Sequence, residues 1–377
     1  MVRMKTIIEI PTYAIVQGAE YQIYDHPLPF NEECNLLGRL LDSLSLTDLK
    51  DTPILILPTS FTPQAEEKRR RFVANYDLEI DVLTEDRLGK LKRYISGYSP
   101  ELSENIGVSG YSQRKNTGLL LGAMEGVDNI IFLDDDEVVE DKDFLRKATE
   151  FVGKRYGGRV VDGIAGYYVN PETGSYKVEE SVPWSRRFWK KEEKMNEAFS
   201  VIDSKERLNK TTIALGGNMV INRRLFTQVP FDPWITRGED VDYLLNAGHF
   251  GFQILLDREL SIKHLPPKSP LPRCTLMRND IYRFFYERAK LLRWGISAAS
   301  LDPYPGFFVR KDLDTRMFIT SLLLSIDLLS KAQWDEAIEC LRIIWHLPRA
   351  RRYAKRDVER YETFREEWTA FMRAHTR

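Results

Sequence analysis

The segment with the clearest capacity for chemistry is an apolar run that ends in four consecutive acids. Residues 129–133 are Asn-Ile-Ile-Phe-Leu, and Asp134, Asp135, Asp136 and Glu137 follow. Because neighbouring carboxylates repel, a cation or a basic ligand is expected to neutralise them. Side chains alternate along an extended segment, so Asp134 and Asp136 point the same way and could share one Mg²⁺ or Mn²⁺ ion through their oxygens. The alternative interpretation is the acidic start of a helix.

Short apolar strands alternate with helical segments around this cluster. Strands are predicted at 6–10, 53–57, 78–83 and 129–133, and helices at 35–46 and 116–125. This alternation predicts an α/β fold with a mainly parallel mixed sheet and helices on both faces. In such a sheet, ligands bind beyond the carboxyl ends of the strands, which is where the four acids would lie.

The remaining chain divides into two further parts, so the predicted boundaries are 1–150, 151–272 and 273–377. Residues 151–272 show strand-like stretches at Gly163–Val169, 213–221, 252–256 and 260–262. Between them lies a long segment that could be a lid, an acceptor-binding insertion or a packed surface loop, with Trp184, Arg186, Arg187, Trp189 and Lys190. The last part is a helical extension, predicted at 281–294, 316–331, 334–346 and 352–374.

The composition narrows the class of protein. The chain has 377 residues with 55 basic and 56 acidic side chains, so its net charge of −1 gives no overall field that would attract nucleic acid. Cys34, Cys274 and Cys340 are far apart and show no spacing typical of zinc or of a disulfide framework, which fits a reducing compartment. No signal peptide or transmembrane segment is recognised. These features predict a cytoplasmic protein.

The C-terminal helices carry an apolar stripe through Phe318, Leu322 and Leu329, which we interpret as core. These helices could complete an acceptor pocket or form a homodimer. The basic cluster at Arg349, Arg351 and Arg352 is expected to be solvated, with contact to an anionic lipid head group as the alternative.

Four separated motifs together resemble nucleotide-sugar glycosyltransferases of the GT-A fold, and family 2 most of all. They are Ile10-Pro11-Thr12-Tyr13, Asn31-Glu32-Glu33, the acidic run at 134–137, and Arg237-Gly238-Glu239-Asp240. The resemblance implies that the part before residue 150 binds the nucleotide sugar and that 151–272 binds the acceptor. It also implies donor contacts from residues of the first two motifs: Pro11, Thr12, Tyr13, Asn31 and Glu32. This chain departs from the family in carrying residues 14–30 between these two motifs.

Two further segments resemble donor-binding parts of the family. Arg114 and the helix start beside it would lie near the donor's phosphates, and both features favour an anion. A solvated basic pair beside a helix cap is the alternative. Gly216, Gly217 and Asn218 resemble a turn that lies close to the donor and acceptor sugars, since glycine permits close approach of the backbone. A plain β-turn is the alternative there.

The resemblance assigns the chemistry to a few acids and one histidine. Asp240 would be the general base that takes the acceptor proton, and Glu239 would orient the acceptor; an acidic helix cap is the alternative. The metal ligands would be Asp134, Asp136 and His264, and a histidine ligand favours Mn²⁺ over Mg²⁺. Asp135 would contact ribose or support the strand.

The implied reaction is transfer of a sugar from a UDP- or GDP-linked donor to a hydroxyl of a small soluble or oligosaccharide acceptor. Inversion is the favoured outcome, and a retaining GT-A enzyme, which would keep the same metal site, is the alternative. A nucleotidyltransferase is the second hypothesis, but it should carry a Gly-rich basic loop after the first strand, where this chain has Pro11-Thr12-Tyr13. A non-catalytic scaffold is the third, and retention of the acids and of His264 argues against it.

Overall fold

A computed structural model describes residues 4–12, 14–15, 28–29, 33–178, 183–267 and 273–376. Tyr13, Asn31 and Glu32 lie outside these residues. The described strands are β1 Thr6–Thr12, β2 Ala14–Ile15, β3 Leu28–Pro29, β4 Ile54–Pro58, β5 Ile80–Val82, β6 Asn129–Phe132, β7 Glu137–Val138, β8 Arg155–Tyr156, β9 Arg159–Val160, β10 Gly163–Val169, β11 Leu208–Lys210, β12 Met219–Asn222 and β13 Ile254–His264.

Helices surround the central sheet. The α-helices are α1 Glu33–Leu44, α2 Pro63–Val73, α3 Glu85–Ser96, α4 Pro100–Glu104, α5 Tyr111–Met124, α6 Phe144–Thr149, α7 Lys191–Phe199, α8 Arg223–Phe226, α9 Glu239–His249, α10 Arg273–Trp294, α11 Leu313–Ser330 and α12 Trp334–His375. Short 3₁₀ helices occur at Trp184–Arg186, Ser200–Asp203, Ala298–Leu301 and Gly306–Phe308.

The central sheet has the strand order β11-β13-β10-β12-β6-β1-β4-β5, and β7 pairs with the end of β13. Strands β6, β1, β4 and β5 are parallel to one another, as predicted. Strand β12 is antiparallel to both β6 and β10, so the second half of the sheet is mixed rather than mainly parallel. The sheet is continuous across residue 150, because β12 pairs directly with β6.

The alternation of side chains along β1 sends them to two different cores. Ile8 and Ile10 pack with α1 and β4 on one face, while Ile7 packs with α5 on the other. The second core is the larger, because α10, α11 and α12 extend it. Burial of these apolar side chains is the main stabilising contribution, at roughly 25 cal/mol for each Å² removed from water.

Several helices differ from their predicted bounds, and α10 begins at Arg273 rather than at 281. Helix α5 begins at Tyr111 rather than at 116, so Arg114 is its fourth residue and is buried. Helix α12 is continuous across Pro348, although an ending was predicted at 346. Leu347 and Ala350 are buried on either side of this proline, so packing holds the helix together where the local sequence favours a break.

The interpretation of the stripe on α11 as core is wrong. Phe318, Leu322 and Leu329 are exposed, whereas Met317 and Leu324 on the opposite side of the helix are buried. Apolar side chains lie on both the buried and the exposed side of the helix, and Thr320, Ser321 and Ser325 are buried, so periodicity alone did not identify its buried face. No helix among the described residues is long and apolar enough to cross a bilayer.

The interpretation of the cysteines as unpaired is wrong for two of the three. Cys274 at the start of α10 and Cys340 in α12 form a disulfide with a Cα–Cα distance of 5.3 Å. They are separated by 66 residues and meet only because α10 packs along α12, so their spacing in the sequence did not predict the disulfide.

Candidate active site

A cavity of about 470 Å³ lies at the carboxyl end of β6, facing the start of α9. It is open to solvent and is bounded by β10, the end of β13 and α7. The predicted site residues that line it are Asp134, Asp136, Gly216, Glu239, Asp240 and His264. The fold therefore brings together the acidic run, the Gly-Gly turn, the Glu-Asp pair and the histidine, which are up to 130 residues apart in sequence.

The acidic run turns sharply as it leaves the strand. The Glu137 carboxylate accepts a hydrogen bond of 2.8 Å from the backbone N–H of Asp134, which closes the turn. Gly217 lies directly against this turn, because a Cβ placed there would be 2.0 Å from Glu137 Oε1 and 2.7 Å from Asp134 Oδ2. The role of Gly217 is therefore close packing behind the acids rather than lining the cavity.

The histidine and one carboxylate form a pair at the mouth of the cavity. His264 is the last residue of β13, and its Nε2 lies 3.4 Å from Asp136 Oδ2. The Tyr168 ring stacks on the imidazole at 4.4 Å between centroids, and its hydroxyl accepts a hydrogen bond from the backbone N–H of Gly217 at 3.1 Å. Tyr168 on the neighbouring strand β10 thus orients His264, and it was not among the predicted site residues.

Two of the three predicted ligands, Asp136 and His264, are close enough together to bind one divalent ion. Two ligands of one octahedral ion are roughly 3 Å apart, so the separation between Asp136 and His264 is compatible with a shared cation. No group of three or more His, Cys, Asp or Glu side chains is arranged to hold a metal within the described ranges. Mg²⁺ commonly takes one or two carboxylates and completes its shell with water and substrate phosphates. Asp134 lines the same cavity and remains the predicted third ligand.

Opposite the acidic run, a buried lysine holds the start of α9. Lys115 Nζ donates to Glu239 Oε1 at 3.1 Å and to the Gly216 carbonyl at 3.3 Å. Burial acts to lower the pKa of Lys115, but Glu239, Asp134 and Asp240 together raise it, so the ammonium form persists. Lys115 was not among the predicted site residues. It binds one carboxylate oxygen of Glu239, and the predicted role of Glu239 in orienting the acceptor stays a prediction.

Asp240 lines the cavity together with Glu239 and is the more exposed of the two. Its Oδ2 accepts a hydrogen bond of 3.1 Å from the backbone N–H of Gly216, and its Oδ1 accepts one of 2.7 Å from that of Val241. Gly238, which precedes the helix, has φ +66°, and a Cβ there would lie 2.1 Å from Arg283 Nη1. A glycine is thus required for both the backbone conformation and the close approach of Arg283.

The carboxyl groups of the cavity are electrostatically coupled. Burial raises the pKa of Asp134 to about 6, while Lys115 opposes this shift and Asp136 adds to it. Burial, reinforced by Glu239, also raises the pKa of Asp240. A raised pKa makes a carboxylate a better proton acceptor near neutral pH.

A further buried acid lies beneath the cavity on β1. Glu9 is fully buried, and neither of its carboxylate oxygens has a hydrogen-bond partner within the described part of the chain. Burial raises its pKa well above the ordinary value, against the opposing charges of Lys115 and Arg114. A Cβ on Gly118 of α5 would lie 1.9 Å from Glu9 Oε2. Glu9 was not among the predicted site residues, although its position as the only acid in the apolar strand β1 could have indicated it.

Other predicted donor-binding residues do not line this cavity. Arg114 is buried and donates to the Val108 carbonyl at 2.8 Å, and its contact with the donor's phosphates stays a prediction. Asn218 donates to the carbonyls of Tyr167 and Leu260, each at 3.1 Å, which ties β10 to β13. Three more predicted residues are buried and do not line the cavity: Pro11, Thr12 and Asp135.

The wall nearest α7 carries basic groups. Lys191 donates to Asp280 at 2.6 Å, and Arg237 lies 3.4 Å from the same carboxylate. The preceding aromatic segment packs rather than lining the cavity: Trp189 is buried against Phe308, with 4.8 Å between ring centroids. The packed-loop interpretation therefore holds for Trp189.

The chain matches no protein-family model and no curated protein. Among solved structures, it superposes on the mannosyltransferase PcManGT from Pyrobaculum calidifontis, determined in complex with GDP-Man and Mn²⁺, with a TM-score of 0.51 and 12% identity. That match covers 98% of this chain and 87% of the mannosyltransferase. S. aureus TarS 1-349 superposes with a TM-score of 0.46 at 15% identity over 97% and 92% of the two chains, which is too weak to support an argument. This chain therefore shares the fold of a known glycosyltransferase.

Proposed function

We propose that this chain is a glycosyltransferase of the GT-A type that moves a sugar from a UDP- or GDP-linked donor to a hydroxyl of a soluble acceptor. The observation that carries the proposal is that Asp136, His264 and Asp240 line the same cavity, in a fold shared with a mannosyltransferase. Sugar transfer from a nucleotide sugar needs a group that neutralises the leaving diphosphate and a base that activates the acceptor.

Asp240 is the proposed base. Its carboxylate is fixed by the backbone N–H groups of Gly216 and Val241, so its position does not depend on the acceptor. In the proposed reaction it removes the proton of the acceptor hydroxyl while that oxygen attacks the anomeric carbon, and the bond from this carbon to the diphosphate breaks. Attack opposite the leaving group would invert the anomeric configuration.

Asp136 and His264, with Asp134, are the proposed ligands of Mn²⁺ or Mg²⁺. Such an ion acts as a Lewis acid that neutralises charge developing on the departing diphosphate. Tyr168 keeps the His264 ring in place by stacking. Lys115 and Glu239 hold Gly216 and the start of α9 at a fixed separation, so they position Asp240 rather than contact the substrate.

The test is a screen of UDP- and GDP-sugars with Mn²⁺ or Mg²⁺ that detects released nucleoside diphosphate, followed by NMR of the product for its anomeric configuration. Asp240→Asn is expected to slow transfer about 100-fold and to leave donor affinity nearly unchanged. Glu85→Gln is the matched control, because Glu85 is an exposed acid in the first turn of α3 and does not line the cavity. Absence of diphosphate release with every donor, or full transfer by Asp240→Asn, would contradict the proposal.

A further inference from the structure

Helix α11 presents an apolar stripe to solvent. Phe318, Leu322, Ile326 and Leu329 recur at intervals of three and four residues, and each is at least 38% exposed. The opposite side of the helix is already filled by the core. Singly exposed apolar residues are common, but an aligned series of them marks an interaction surface.

The start of α12 presents a second stripe of the same kind. Trp334, Ile338, Leu341 and Trp345 follow helical spacing, and the two tryptophans are 63% and 77% exposed. The two helices are joined by a short turn and pack side by side, and Ser325 Oγ donates to the Ala337 carbonyl at 3.1 Å. We call the two stripes together the helical face.

Basic side chains extend the helical face along α12. Arg349 and Arg352 follow Trp345 at spacings of four and seven residues, are exposed, and pair with no acid in the part of the chain that the structure describes. Residues 331–355 contain six basic and three acidic side chains, a local charge of +3 in a chain of net charge −1. The helical face is thus apolar with a cationic end.

We propose that the helical face binds the surface of an anionic phospholipid bilayer. Apolar side chains would enter the boundary between head groups and acyl chains, where tryptophan is favoured, and the arginines would contact anionic head groups. A second copy of the chain is the competing occupant of the helical face, so the oligomeric state in solution is measured together with vesicle binding.

The helical face is connected to the wall of the cavity. Trp184 is half exposed, and its Nε1 donates to Asp327 Oδ1 of α11 at 3.1 Å. The same segment continues into α7, whose first residue, Lys191, lines the cavity. Binding of the bilayer would therefore fix the orientation of the cavity relative to the membrane, whatever reaction the cavity performs.

Flotation of the full chain with vesicles tests the proposal. Binding is expected to vesicles of 70% phosphatidylcholine and 30% phosphatidylglycerol, and to be weaker with phosphatidylcholine alone or in high salt. Arg349→Glu with Arg352→Glu should lower the partition coefficient by about 30-fold or more, from roughly fivefold for each basic residue lost. Lys50→Glu with Lys154→Glu is the matched charge control, since both lysines are exposed on other elements.

Trp334→Ser with Trp345→Ser should lower the same coefficient by about 10-fold or more. Leu46→Ser, at a site 77% exposed in the turn after α1, should not. Both tryptophans are exposed, so the variant should keep its melting temperature. Failure of the wild type to bind anionic vesicles would overturn the proposal. The proposal would also be overturned if vesicles are not bound and light scattering shows that the wild type is a dimer while the tryptophan variant is a monomer. A second copy of the chain would then cover the helical face.

Discussion

Replacement of Lys115 with Met tests the electrostatic basis of the cavity. The lysine is 2% exposed, and its ammonium lies 3.1 Å from Glu239 Oε1. At an effective dielectric constant of about 20, this separation corresponds to roughly 5 kcal/mol of attraction. Removing one partner of a buried pair leaves the other charge uncompensated, so we expect a loss of about 3–5 kcal/mol in the free energy of unfolding.

The loss should depend on pH in a defined direction. Lys115 opposes the rise in pKa of Asp134 and Asp240, so Lys115→Met should raise both further. A carboxyl whose pKa is higher in the folded than in the unfolded state costs stability as the pH rises between those two values. The stability deficit should therefore be larger at pH 8 than at pH 5, and the acidic limb of any activity profile should move to higher pH.

Urea unfolding at both pH values, monitored by circular dichroism, measures the effect. Lys90→Met is the control, because Lys90 pairs with Asp86 at 2.6 Å but both side chains are about 70% exposed. That pair should contribute no more than about 0.5 kcal/mol. The reasoning is refuted if the two variants lose equal stability, or if the Lys115→Met deficit grows as the pH falls.

Four further outcomes are expected. Asp136→Ala should weaken Mn²⁺ binding at least 10-fold by calorimetry, and unchanged affinity would remove Asp136 from the ligand set. Gly118→Ala should cost about 1–3 kcal/mol in urea unfolding because its Cβ would overlap Glu9, whereas Gly248→Ala, with open space around it in α9, should not destabilise. The wild-type rate of transfer should fall as the pH drops through the raised pKa of Asp240, because protonation removes the base; a flat profile down to pH 4 would contradict this. Lys290→Met should cost about 3–5 kcal/mol by the same urea assay, since Lys290 is fully buried between Asp232 at 2.6 Å and Asp242 at 2.7 Å; a loss under 1 kcal/mol would contradict that cluster's role.

Local sequence determined the strand ends and the turns of the site. The run at 129–137 was recognisable because apolar residues stop abruptly at the acids, and α9 begins at Glu239 with the acids in its first turn, as predicted. These features depend on neighbours within a few residues. The parallel half of the sheet followed in the same way from the alternation of strands and helices.

Tertiary structure alone decided which of these residues meet and which face is buried. The pairing of Lys115 with Glu239 and the disulfide of Cys274 with Cys340 join residues 124 and 66 positions apart, so no local pattern encodes them. Helix α11 carries apolar side chains on both its buried and its exposed side, so only its neighbours determined that Phe318 faces solvent. Sequence fixes local conformation through short-range sterics and hydrogen bonds, whereas burial and charge pairing depend on contacts that exist only after the chain has folded.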